Sequence, residues 1–146
     1  MFRGTYEHTI DSKGRASLPA QFRSILPKDN ERLVITNYIP AHLWAFTFDD
    51  WIRLEQKIAS LPLNDPDTRE FKRFFVAGAH DVAVDKLGRI LIPPRLRDYA
   101  QLNKDITFAG SVTHIEVWSK ENWQPAFRAS ESNFENTAKK LADLGF

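Results

Sequence analysis

Cysteine is absent from this 146-residue chain, which removes disulfide frameworks, thiolate nucleophiles and zinc–thiolate centres from consideration. No apolar run approaches the roughly 20 residues of a membrane-spanning helix, so no membrane partner is expected. The opening Met1-Phe2-Arg3-Gly4-Thr5-Tyr6-Glu7 lacks the charged stretch and apolar core of a secretory signal. A cytoplasmic location is therefore expected. Net charge is also scarce, +1 overall, and by itself says nothing about polyanions. Catalytic signatures are missing as well. No His-Glu-x-x-His, Gly-x-Ser-x-Gly or Gly-x-x-x-x-Gly-Lys-Ser/Thr segment occurs. The four histidines are His8, His42, His80 and His114, and none sits in a recognisable catalytic or metal-ligand pattern. Neither an enzyme nor a cofactor, resident metal or small-molecule substrate is expected.

What is present is charge in particular places. Residues 1–28 hold five Lys/Arg against two Asp/Glu, and residues 85–104 hold the same numbers. The rest is acidic: residues 29–84 carry nine acidic against six basic side chains, and residues 105–146 six against four. A nearly neutral protein with local basic patches can still find a polyanion.

Those two basic windows coincide with an internal repeat. His8-Thr9-Ile10-Asp11-Ser12-Lys13-Gly14-Arg15-Ala16-Ser17-Leu18-Pro19 lies over Val82-Ala83-Val84-Asp85-Lys86-Leu87-Gly88-Arg89-Ile90-Leu91-Ile92-Pro93. Phe22-Arg23 lies over Leu96-Arg97, Leu33-Val34-Ile35 over Ile106-Thr107-Phe108, His42 over His114, and Trp51 over Trp123. Two copies are too few for a solenoid, which needs about three. They suggest a duplicated half-domain with pseudo-twofold symmetry. The expected division is a first repeat over residues 1–60, a linker and helix over 61–78, and a second repeat over 79–146 with a longer C-terminal helix.

Each copy reads alike, as an α+β unit. A strand runs to Ile10 or Val84, and a tight turn follows at Asp11–Gly14 or Asp85–Gly88. Asp suits the first turn position because its side chain bonds nearby backbone N–H groups, and Gly permits positive φ at the fourth. A short strand, Arg15–Leu18 or Arg89–Ile92, is ended by proline, which suits the first turn of a helix. Strands near Leu33–Asn37 and Leu43–Phe48 match Ile106–Ala109 and Ile115–Trp118. Thr47 or Ser119 then caps a helix, in which Trp51, Leu54, Ile58 and Leu61, or Trp123 and Phe127, recur at helical spacing. Leu61–Asp67 is linker-like. Asp67 is expected to cap a further helix with Phe71, Phe74 and Phe75 facing inward. Phe134, Ala138 and Leu141 are spaced for packing in the C-terminal stretch. The remaining aromatic surface suggests a subunit interface.

The repeated Asp-x-x-Gly-Arg turn carries the functional reading. Its arginine follows a tight hairpin, and a guanidinium fork donates two parallel bonds to phosphate or guanine. A hairpin tip or two-stranded ribbon is narrow enough to enter a major groove. Asp11 and Asp85 either orient the forks of Arg15 and Arg89 or simply stabilise the turns. Gly14 and Gly88 form the turns, Lys13 and Lys86 lie at the tips, and Arg3, Arg23, Arg95 and Arg97 lie nearby in sequence. The candidate DNA-binding set is Arg15, Arg89, Asp11, Asp85, Lys13, Lys86, Gly14, Gly88 and Arg3. One turn of this kind is common, and its Asp–Arg pair alone would be a surface ion pair contributing about 0–1 kcal/mol.

The N-terminal Met1-Phe2-Arg3-Gly4-Thr5-Tyr6-Glu7-His8, the paired Asp11-Ser12-Lys13-Gly14-Arg15 and Asp85-Lys86-Leu87-Gly88-Arg89, and the duplication together resemble the MraZ family over essentially the whole chain. That resemblance implies an AbrB-like superfamily fold. Two pseudo-symmetric swapped-hairpin repeats would form a small β-barrel with flanking helices. It implies a sequence-specific transcriptional regulator, expected to repress the division and cell-wall gene cluster, its own promoter included. The partners implied are double-stranded promoter DNA, bound at short direct repeats, and the chain itself, as a ring homo-oligomer of octamer size or larger. Location would be nucleoid-associated. Asp11, Arg15, Asp85 and Arg89 match the family motif. Position 87 is apolar where position 13 is Lys, so the two tips need not meet DNA equivalently. Two rivals stand beside this reading. Paired Asp residues bind Mg²⁺ in nucleases, although here each has an Arg four residues on. AbrB-like antitoxins use a disordered tail to wrap a toxin, and residues 119–146 do not read as such a tail.

Overall fold

In the computed structural model, which describes all residues from Met1 to Phe146, the two repeats complete each other's sheet. The first contributes strands β1 (Thr5–Thr9), β2 (Arg15–Ser17), β3 (Arg32–Tyr38) and β4 (His42–Thr47). The second contributes β5 (His80–Ala83), β6 (Arg89–Leu91), β7 (Asp105–Ser111) and β8 (His114–Ser119). Six of these form one antiparallel sheet in the order β1-β7-β8-β4-β3-β5. The hairpins β3–β4 and β7–β8 meet at its centre, where Trp44 stands opposite Glu116. Each hairpin is flanked by the other repeat's first strand: Tyr6 pairs with Phe108 and Val82 with Leu33. The remaining strands, β2 and β6, pair with one another as a two-stranded ribbon, and Ala16 of β2 also bridges to Ile10.

The sheet is open, and the expected closed barrel does not form. β1 and β5 remain as edges, because the ribbon strands are three residues each and lead directly into Leu18-Pro19 and Ile92-Pro93, too short to bridge those edges. Instead the ribbon and helices α1 (Ala20–Arg23) and α4 (Pro94–Ala100) cover one face of the sheet. Alternation along the strands sends Leu33, Ile35, Leu43, Ala45, Ile106, Phe108, Ile115 and Val117 to that face. There they join Ala16, Leu18, Phe22, Ile90, Ile92 and Leu96 in a core of 20 buried residues.

On the opposite face, α2 (Phe48–Ala59) packs Trp51 and Ile58 against Val34 and Phe46. Thr47 accepts a hydrogen bond from Asp50 N, and Ser119 from Asn122 N, so both helix caps form as the sequence suggests. The next helix, α3 (Pro66–Phe71), starts two residues earlier than expected. Asp65, not Asp67, is the cap, because Pro66 occupies the first helical position and the Asp65 carboxylate accepts from Asp67 N. The helix continues as a π-turn over Lys72–Val76, which shifts the phase of its side chains. Only Phe75 is buried, at 2% exposure, while Phe71 and Phe74 are about two-fifths exposed.

The C-terminal helices α5 (Lys120–Ser132) and α6 (Phe134–Ala142) also depart from expectation, since neither buries a residue. Trp123 leans on Trp118 and Phe127. Phe127 and Phe134 are nonetheless 50% and 69% exposed. In the first repeat the segment after α2 inserts Phe75 beneath that helix. After α5, α6 inserts no such side chain.

Candidate nucleic-acid interface

Both Asp-x-x-Gly-Arg turns have the same geometry. Asp11 Oδ1 accepts from the backbone N–H groups of Lys13 and Arg15 at 3.0 and 2.8 Å, and Oδ2 accepts from Arg15 Nε at 2.8 Å. Asp85 does the same with Leu87 N, Arg89 N and Arg89 Nε, at 2.9, 2.8 and 3.0 Å. Gly14 and Gly88 close the turns at φ +88° and +79°, where an L side chain is strained. The backbone N–H of Arg15 is the main influence holding the Asp11 carboxyl below its ordinary value. It acts against partial desolvation and with help from the Arg15 side chain. Arg89 acts in the same way on Asp85. Each aspartate therefore performs both tasks the sequence left open: it builds the turn and fixes the arginine.

The manner of fixing matters for chemistry. The carboxylate takes Nε, and neither terminal Nη group of Arg15 or Arg89 donates to the protein. A guanidinium gripped from the side in this way keeps its end-on pair of donors for a phosphate or a base edge. Both arginines are roughly one-third exposed, at 39% and 36% of their side chains.

The ribbon decides where the forks point. Arg15 pairs with Leu91, Ala16 with Ile90 and Ser17 with Arg89. Directly opposed residues share a face. Ala16 and Ile90 turn into the core, at 2% and 1% exposure, so Arg15, Ser17, Arg89 and Leu91 share the outer face. Two residues of rise and one strand spacing put the Cα atoms of Arg15 and Arg89 about 8 Å apart. The turns themselves lie at opposite ends of the ribbon. Ile92 N donates to Gly14 O at one end and Leu18 N to Gly88 O at the other, at 2.9 and 2.8 Å. Lys13 and Lys86 are exposed at the two tips. Asp11 and Asp85 do not converge, and no group of three or more His, Asp or Glu residues is arranged to hold a metal ion.

Arg3 is not brought to this surface. It lies beside Gly110, where Phe2 bridges to Val112. That is the far end of β1 from Asp11, roughly 25 Å along an extended chain. Two arginines outside the expected set do reach the turns. A Cβ on Gly14 would fall 2.5 Å from Arg97 Nε, and one on Gly88 would fall 3.0 Å from Arg23 Nη1. Each helix arginine thus packs over the glycine of the other repeat's turn. Their matched positions in the repeat were the available signal, but sequence alone does not say which turn each would reach. Arg95 serves elsewhere, donating to Asn37 Oδ1 and Gly78 O.

The repeat-equivalent histidines lie among aromatic rings. His42 is buried and stacks on Trp118. Its Nδ1 bonds to Pro40 O and its Nε2 to Trp44 Nε1, so both ring nitrogens have partners. His114 lies against Trp44, and burial is the main reason it is harder to protonate than an ordinary histidine.

The duplicated turns and exchanged strands agree with what sequence comparison finds. The family model described as "MraZ protein, putative antitoxin-like" matches twice, over residues 1–74 and 75–144. A protein of Caldanaerobacter subterraneus subsp. tengcongensis is 45% identical over 141 residues, covering 97% of this chain and 96% of the relative. Relatives from Thermoanaerobacter sp. (strain X514) and Acetivibrio thermocellus are each 44% identical, over 99% of both chains. All three bear the name transcriptional regulator MraZ. Matched in both halves and along its full length, the chain belongs to the MraZ family.

Proposed function

We propose that this protein is a sequence-specific DNA-binding transcriptional regulator whose reading surface is the outer face of the β2–β6 ribbon. The observation that carries this is the placement of Arg15 and Arg89 on one face, each gripped at Nε with its terminal donors unused. A two-stranded ribbon fits the major groove, and such a fork matches phosphate or the O6/N7 edge of guanine. The name of the relatives supports the regulatory reading. No helix is long and apolar enough to cross a membrane, and a cytoplasmic, nucleoid-associated protein is part of this reading.

The same reading includes repression of the division and cell-wall gene cluster, its own promoter included, through short direct repeats. One ribbon offers few contacts, so useful affinity would come from several subunits on successive repeats. The exposed apolar side chains of α5 and α6 support self-assembly into a ring. The strand exchange between residues 1–60 and 79–146 supports the swapped-hairpin relation, with the sheet left open. A gel-shift assay on the DNA upstream of the chain's own gene tests the reading. Arg15→Ala and Arg89→Ala should each weaken binding, and undiminished binding by the folded double variant would sink it.

A second reading, a protein-binding module, is favoured by the same uncovered α5–α6 surface. A stable heterologous complex without DNA binding would favour it over the first.

A further inference from the structure

We infer that the two ends of the ribbon are unequal toward DNA: the end at the first turn adds phosphate contacts through Arg97 and Lys104, while the equivalent Arg23 is withheld. This presupposes that the ribbon meets DNA, and it adds which cations anchor the backbone.

The inequality comes from a broken symmetry. Val84 N donates to Glu31 O and Ile10 N donates to Lys104 O, at 2.9 and 2.8 Å. Those matching bonds, one just before each turn, make Glu31 and Lys104 structural equivalents. Glu31 holds Arg23, with Oε2 accepting from Nε at 2.7 Å. In the other half the carboxylate is replaced by an ammonium, and Arg97 has no such partner. Its guanidinium makes no ion pair within the protein, and its Nε is buried without an acceptor.

The neighbouring position repeats the pattern. Arg32, next to Glu31, pairs with Asp81 at 3.3 Å. Its equivalent is Asp105, opposite Thr9 on β1, and neither Asp105 nor Asp98 approaches a cation within ion-pair distance. At the second turn every guanidinium nearby is therefore neutralised: Arg89 by Asp85, Arg23 by Glu31 and Arg32 by Asp81. At the first turn only Arg15 is paired. Each tip carries one exposed, unpaired lysine, Lys13 or Lys86, with Leu87 exposed beside the latter; what the first turn has in addition is Arg97 and Lys104, neither of them in an ion pair. A half-buried guanidinium with no ion pair in the protein, beside an exposed and unpaired ammonium, suits phosphodiester oxygens.

Salt dependence separates the two ends, because each phosphate contact adds about 0.9 to the slope of log K against log salt. The full chain is titrated against a duplex from upstream of its own gene at several KCl concentrations. Arg97→Gln should lower the slope by about 1 and Lys104→Gln should lower it further, while Arg23→Gln leaves it unchanged. Arg97→Lys should retain most of the slope, and Glu31→Gln, by releasing Arg23, should raise it. Lys104 is exposed and makes no side-chain bond, so its variant keeps the test valid if Arg97→Gln perturbs the turn. Equal slope changes for the Arg23 and Arg97 variants, or none for Arg97 and Lys104, would overturn the inference while leaving DNA binding standing. No binding by the unaltered protein would overturn the regulator reading and this inference together.

Discussion

Gly14 and Arg97, which belong to different repeats, are so closely packed that a methyl group on the glycine would stand 2.5 Å from the arginine's Nε. The contact couples turn geometry to the position of a cation. Gly14→Ala should be destabilised by about 1–2 kcal/mol from its positive φ alone, and should also push Arg97 aside. Gly88→Ala shares the φ cost but meets only the end of Arg23, at 3.0 Å. Thermal unfolding should show similar losses for the two variants, with DNA affinity falling more for Gly14→Ala. Equal affinities would show that the Arg97 contact is incidental.

The aspartate turns predict a sign for acid sensitivity. Both carboxyls sit below their ordinary value of 3.8 in the folded chain. The unfolded state therefore binds protons first as pH falls. Stability from these groups is fully present above the unfolded value and is lost as pH drops through the folded one. An Asp11→Asn, Asp85→Asn double variant should melt lower than the unaltered protein at pH 7, and the two melting curves should converge as pH falls below 3.8 and through the lowered folded-state values. A constant gap across that range would contradict the assignment.

Phe75 anchors the smaller core. It meets the rings of Tyr38, Trp44, Phe46, Trp51 and Phe71. Phe75→Ala should cost about 3–5 kcal/mol, readable as a fall in the denaturation midpoint. Phe74→Ala, at a position 40% exposed, should cost far less. Comparable losses would mean that the π-turn does not set which phenylalanine is buried.

Removing residues 133–146 tests what the last helix does. α6 buries nothing within the subunit, so the shortened chain should unfold cooperatively at nearly the same temperature. Its sedimentation should shift towards smaller assemblies. A large loss of subunit stability would show that the helix packs on its own chain.

The turns, the Thr47 and Ser119 caps and the strands were legible because each depends on neighbours in sequence. Asp11 bonds groups two and four residues away, Thr47 caps three residues on, and strand alternation has a period of two. The exchange of strands was not legible. β1 and β5 carry similar patterns, and nothing local says whether Tyr6 belongs beside Phe108 or beside a strand of its own repeat. The crossed positions of Arg23 and Arg97 follow from that exchange and were hidden with it. The spacing of Phe71, Phe74 and Phe75 misled because it presumes α-helical phase, which the π-turn alters. Trp123, Phe127, Phe134 and Leu141 show apolar spacing, but spacing alone does not say whether a helix covers its own subunit or another.

Because β1 waits for β7 and β2 waits for β6, the order of synthesis matters. When the first 60 residues have left the ribosome, β3 and β4 can pair, but β1 and β2 have no partners until residues near 91 and 111 follow. For that interval the nascent chain carries unpaired strand edges that another nascent copy could occupy. Crowded translation on one messenger would therefore favour exchange between chains, and the short path from Leu61 to Asp65 sets how readily a chain finds its own second half instead.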